Sequence, residues 1–141
     1  MAEAAADSIF TRIIKGEIPC HRVFENERVI AFLDINPLSA GHTLVIPKRQ
    51  CERLEDLPAE DAAEVARILG QIAKRILAVT GARDYNVLQN NGPTSGQEVP
   101  HVHFHIIPRK PGDGLGYRWK PKPADHAVLA DLARRINAAE A

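Results

Sequence analysis

Apolar positions recur along this chain at two periods, and the change from one to the other marks out its elements. From Pro58 to Thr80, Ala62, Val65, Leu69, Ile72, Ile76 and Val79 follow one another at steps of three and four, the stripe of an amphipathic helix. Glu64, Arg67, Lys74 and Arg75 fall on its other faces. Pro58 suits a first helical position and Gly81 a C-terminal stop. A second, shorter helix is predicted up to Ile14, capped by Asp7 or Ser8 and ended by Gly16. A third spans about 124–138, with Val128, Leu132 and Ile136 turned inward.

Elsewhere the pattern shortens to that of strands. Arg22 to Glu25 and Val29 to Leu33 carry β-branched and aromatic residues on either side of an Asn26-Glu27-Arg28 turn. A loop from Asn36 to Gly41 leads to a third strand, His42 to Ile46, closed by Pro47. Tyr85 to Gln89 and Val102 to Ile107 complete the set, with a polar, glycine-containing loop from Asn90 to Gln97 between them. Strands joined now by short turns and now by helices predict an α+β fold. Its mainly antiparallel sheet has about five strands, with one long amphipathic helix and short N- and C-terminal helices. Residues 1–6 are expected to fray, and residues 7–141 to form a single domain.

Composition narrows the function classes. Lys plus Arg and Asp plus Glu are 18 each, so no overall charge draws the protein to nucleic acid or to an anionic membrane. The N-terminal Met-Ala-Glu-Ala-Ala-Ala-Asp has neither a basic nor an apolar signal region, and no apolar run approaches a membrane span. A cytoplasmic protein is expected, with Cys20 and Cys51 as separate thiols rather than a disulfide or a zinc pair.

Three of the six histidines fall within five residues, at His101, His103 and His105. On a strand they share one face, while Val102, Phe104 and Ile106 share the other and point to the core. Such a row can bind a metal, carry nucleophilic and acid–base chemistry, or stand inert with each ring hydrogen-bonded. Three imidazoles on one face argue against the inert case. The adjacent loop, with Gly92 and Gly96, suits backbone amides aimed at an anion, which favours phosphoryl or nucleotidyl transfer over a metal site.

The run HVHFHII at 101–107 resembles the signature of the histidine-triad (HIT) family. AFLDINPLSAGHTLVIPK at 31–48, DSIFTRIIKGEIP at 7–19 and NNGPTSGQ at 90–97 resemble further blocks of it, so the likeness spans about 7–110. The branch it is most similar to is that of the bacterial-type histidine-triad nucleotide-binding proteins. The resemblance implies a HIT-like domain and a hydrolase or transferase. His103 would attack the α-phosphorus of a nucleoside monophosphate joined to a leaving group, forming a covalent nucleotidyl-histidine. His105 and His42 would flank the phosphate, and His101 would orient His103 through its backbone carbonyl. Asn90, Gly96 and backbone amides near Gln97 and Glu98 would hold phosphate oxygens. Asp34 would accept from the ribose hydroxyls, unless it is simply a turn residue before Asn36-Pro37. Phe10, Ile13, Ile18, Phe32 and Ile35 would line a slot for the base.

A purine nucleotide substrate, AMP or GMP as product, no metal or other cofactor, and a homodimer are further implications. The alternative is a non-catalytic nucleotide sensor or interaction module on the same fold. Two departures stand out. Glu98 occupies a position where some relatives carry a hydroxyl. Ser8-Ile9-Phe10-Thr11 lacks the cysteine pair that serves a zinc site in some bacterial relatives. Tyr117, Arg118 and Trp119 border the site or an interface, or lie in an exposed loop.

Overall fold

The computed structural model describes residues 5–116 and 119–140. Its elements run α1 (Ile9–Ile14), β1 (Arg22–Glu25), β2 (Val29–Leu33), β3 (Thr43–Pro47), α2 (Ala59–Thr80), β4 (Asp84–Gln89), β5 (Phe104–Arg109) and α3 (His126–Ala138). The five strands form one sheet in the order β1-β2-β3-β5-β4, every neighbouring pair antiparallel. The α+β architecture expected from the pattern is therefore the one found.

Strand alternation gives the sheet two apolar faces, and each is covered. Val29, Ala31, Val45 and Ile106 meet Val65, Ile68, Ile72, Ala73 and Ile76 of α2. On the opposite face Ile30, Phe32, Leu44 and Ile46 cluster with Phe10 of α1. Burying each of the Val, Ile, Leu and Phe side chains among them stabilises the fold by roughly 1.5–3 kcal/mol. Asp61, in the first turn of α2, is buried and accepts from Arg28 Nη1 at 2.9 Å and Arg49 Nε at 2.7 Å. That pair of bonds ties the start of α2 to the β2–β3 side of the sheet.

Five expectations need correction. Pro58 caps α2 from outside rather than opening it. Val79 is 89% exposed, while Ile68 is fully buried: the real stripe is rotated to Val65, Ile68, Ile72 and Ile76, the residues that pack on the sheet. Val128, Leu132 and Ile136 of α3 are exposed, and that helix buries no residue. The last strand begins at Phe104, not Val102, and continues through Pro108, which needs no donor toward β3 because that pairing stops at Ile106. The third strand likewise starts one residue late, at Thr43.

Ala6, expected to fray, accepts from Gln50 Nε2 at 2.8 Å. Cys20 and Cys51 are both free thiols. Among the described residues, no helix is long and apolar enough to cross a membrane. Tyr117 and Arg118 lie outside the described residues; Trp119 is exposed.

Candidate active site

The face of the sheet opposite α2 carries the histidines. A cleft of about 600 Å³ opens there. It is lined by Phe10, Ile13, Ile18, Phe32, Asp34, Ile35, His42, Asn90, Gly96, Glu98, His103 and His105, all singled out from the sequence. Pro19, Cys20, Leu44, Leu88 and Val99 line it too, and nothing in their spacing announced them. His101 and Gln97 stand behind it.

The hydrogen bonds decide which nitrogen of each ring is bare. His103 Nδ1 lies 2.7 Å from the His101 carbonyl oxygen. A carbonyl only accepts, so Nδ1 carries the proton and Nε2 keeps its lone pair. The backbone amide of Leu38 donates to His42 Nδ1 at 3.0 Å, so in the neutral ring the proton of His42 sits on Nε2. That N–H faces His105 Nδ1 at 2.9 Å, which must accept. The remaining proton of His105 is then on its Nε2. With ring centroids 5.0 Å apart, His103 and His105 thus present opposite chemistry: a lone pair on one, an N–H donor on the other.

Electrostatics keeps these rings neutral. Burial pushes the pKa of His42, His101 and His103 below the ordinary imidazole value. His105 falls furthest, to about 4, through burial and then the proximity of His103 and His42. Phe10 packs on His103 with centroids 4.9 Å apart and a steep angle of 76°, so the ring is held sideways as well as by its bond to His101.

Asp34 meets both of its expected descriptions. Its Oδ1 accepts the amide of Asn36 at 2.8 Å, a turn-forming bond, while its carboxylate borders the cleft with Oδ2 3.6 Å from His42 Nε2. The rim and floor of the slot differ: Phe10 and Phe32 are buried, and Ile35 is 79% exposed.

The loop between β4 and β5 turns at Gly92 and Gly96, both in the left-handed region at φ 89° and 105°. A Cβ on Gly96 would meet Asn90 Nδ2 at an ordinary 3.5 Å, so the left-handed backbone rather than crowding calls for glycine there. Gln97 differs from the expectation. Its amide donates to the Gly92 carbonyl at 3.2 Å, its Oε1 accepts from Gly92 N at 2.7 Å, and its Nε2 donates to the Glu52 carbonyl at 2.7 Å. It shapes the loop rather than facing the cleft, because the loop needs an internal brace. Glu98 is exposed at the cleft mouth.

His101, His103 and His105 do not converge as metal ligands. Both ring nitrogens of His101 are already engaged, with Ser8 Oγ at 2.7 Å and the Pro47 carbonyl at 2.8 Å. The group that could converge is Asp34, His42 and His105, whose ligand atoms lie within 4.8 Å of one another.

Residues 15–112 match the HIT domain. The chain belongs to the HIT family. It is 43% identical over 131 residues to an adenosine 5'-monophosphoramidase of Schizosaccharomyces pombe, covering 92% of this chain and 95% of the relative. It is 42% identical over 109 residues to an adenylylsulfatase of Arabidopsis thaliana, covering 77% of this chain and 55% of that protein. The crystal structure of a HIT family member from Bacillus subtilis superposes with a TM-score of 0.90 at 39% identity, covering 96% of this chain and 99% of the other. His101, His103 and His105 lie within the matched residues.

Proposed function

We propose that this HIT protein is a nucleotide hydrolase that cleaves a nucleoside monophosphate from a leaving group through a covalent nucleotidyl-histidine on His103. The observation that carries the reading is the bare Nε2 of His103 beside the N–H of His105, both in the cleft. The lone pair of Nε2 forms a bond to the α-phosphorus, and the bond to the leaving group breaks, that group taking a proton from solvent as it departs. Water then attacks the phosphorus, the P–N bond breaks, and the monophosphate and one proton are released, which restores the neutral ring. The N–H of His105 stabilises charge on the phosphoryl oxygens without a metal. Asn90 and the Gly96 turn border the same space.

The named relatives act on an adenosine monophosphoramidate and an adenylyl sulfate, which supports a purine nucleotide as substrate and AMP or GMP as product. Asp34 takes the ribose hydroxyls, and the slot of Phe10, Ile13, Ile18, Phe32 and Ile35 takes the base. The two free thiols suit a reducing cytoplasmic setting, and β4, at the sheet edge, suits a homodimer.

The test is to incubate chelator-treated protein with adenosine 5'-phosphoramidate and with a dinucleoside polyphosphate. AMP release is followed, and the protein is weighed intact after rapid quenching. Wild type is expected to release AMP and to gain one adenylyl group; His103→Ala should lose at least about a thousandfold in rate and show no adduct. AMP release by His103→Ala at the wild-type rate would overturn the assignment. Activity lost on chelation and restored by metal would move the chemistry to Asp34, His42 and His105.

A further inference from the structure

His101 and His103 carry the triad's most constrained geometry, yet they lie before β5, where no ladder bond holds them. Something else must fix the His101 carbonyl on which the orientation of His103 depends. The backbone supplies two bonds: His101 N donates to the Val99 carbonyl at 2.8 Å, and Val102 N to the Cys51 carbonyl at 2.7 Å. The rest comes from the fully buried ring of His101, clamped between two elements. On one side is the Pro47 carbonyl at the end of β3. On the other is the hydroxyl of Ser8, the N-cap of α1.

The donor and acceptor roles follow without choice. Pro47 offers only an acceptor, so His101 Nε2 carries the proton and Nδ1 must accept. Ser8 therefore directs its single proton at His101 Nδ1, the nearer acceptor at 2.7 Å, rather than at Thr11 Oγ1 at 3.2 Å, while its oxygen accepts the Thr11 amide at 3.0 Å as the helix cap. Gln50 holds this arrangement from behind. Its Oε1 accepts from Ser8 N at 2.8 Å and from Thr11 Oγ1 at 2.6 Å. Every polar atom in the network has a defined part, and all of it converges on a ring that never reaches the cleft.

We propose that Ser8 is a positioning residue: by capping α1 and donating to His101 Nδ1 in one hydroxyl, it latches the N-terminal helix to the triad and fixes the ring whose backbone carbonyl orients His103. Gln50 serves the latch by orienting Ser8. This rests on His103 being the nucleophile, but the tautomer of His101 can be read without that assumption.

Three substitutions at Ser8 separate capping from donation. Ser8→Ala removes both. Ser8→Asp keeps a good cap but offers only an acceptor to Nδ1. Ser8→Thr keeps both. On full-length protein labelled with 15N, multiple-bond 1H–15N spectra of the imidazoles should show wild-type His101 protonated on Nε2 alone. In Ser8→Asp, Nδ1 should be protonated as well.

With adenosine 5'-phosphoramidate, Ser8→Ala and Ser8→Asp should each lower kcat about tenfold, the scale of a misoriented reacting group. KM should stay within about twofold, since the binding contacts are untouched. Ser8→Thr should restore kcat. A merely structural cap predicts that Ser8→Asp behaves as wild type, and that result, or a kcat loss with the His101 tautomer unchanged, overturns the latch. If wild type turns over no phosphoramidate at all, the hydrolase reading fails by itself, and the tautomer change in Ser8→Asp still decides whether the latch exists.

Discussion

The two ends of the histidine row are held by different means. His105 sits within β5, opposite Leu44 of β3 and Leu88 of β4, so the sheet ladder places it and His42 only has to set its tautomer. His101 and His103 sit outside the ladder and depend on side-chain and turn bonds reaching from α1, β3 and the loop after it. A strand fixes where a side chain starts but not which ring nitrogen is bare; that takes a dedicated partner at each end, Leu38 N for one and the His101 carbonyl for the other. The ladder arm should therefore survive changes in α1, and the latched arm should survive changes in the loop before β3.

The sharpest way to test the separation is a double-mutant cycle on the ladder arm. His105→Ala should lower kcat/KM about a hundredfold by removing the N–H beside the phosphate. His42→Ala should lose nearly as much, because it frees His105 to place its proton on either nitrogen. The double variant should be little worse than either single one, since both remove the same donor. Strictly additive losses would mean that His42 touches the substrate independently.

Next in size is a stability effect confined to the approach to His42. Gly41 has φ +90°, and a Cβ there would lie 2.8 Å from Thr80 Cγ2 and 3.0 Å from Ile76 Cγ2, at the end of α2. Gly41→Ala should cost about 2 kcal/mol from strain and overlap together. Thermal unfolding should show it as a midpoint lowered by roughly 5–10 °C. The His101 tautomer should not change, because nothing in the latch touches that loop.

The pH dependence of stability distinguishes the arms again. The four clustered histidines are held below the ordinary imidazole pKa by burial, and His105 is lowered to about 4. Above about 6.5 both folded and unfolded chains carry them neutral, so the stability is fully present there. As pH falls from about 6.5 toward 4, the unfolded chain takes up protons that the folded chain refuses, and stability drops. Urea midpoints at pH 7.5 and 5 should show the fall before most carboxylates titrate. His105→Gln should remove the largest share of that slope.

The sequence made the ladder arm easier to read than the latched one. Alternation at 101–107 correctly placed His103 and His105 on the face away from the α2 core, but it carried the strand two residues too far upstream. The error matters, since a ladder through Val102 would have needed no latch. Ser8 is visible in the sequence as a helix cap and as part of a stretch lacking a cysteine pair, not as a partner of His101, and Gln50 gives no signal, because a partnership across 42 residues has no period. The helices show the same limit. Steps of three and four described α2 and α3 alike, yet only α2 buries its stripe, rotated to include Ile68. Periodicity reports that a face exists and leaves its partner to the topology.

Asp34 offers the smallest effect and the cleanest separation of two roles within one side chain. Its Oδ1 holds the turn through Asn36 N, while Oδ2 faces the cleft near His42. Asp34→Asn can keep the turn, because the amide oxygen accepts the same backbone N–H, but it replaces the outward acceptor with a donor. Thermal stability should then stay within about 0.5 kcal/mol of wild type. KM for a ribonucleoside phosphoramidate should rise about tenfold, and KM for the 2'-deoxy substrate should rise less, since it has one hydroxyl fewer to lose. Equal rises for both sugars would show that Asp34 acts on substrate through His42 rather than through the ribose, which would bring it into the ladder arm.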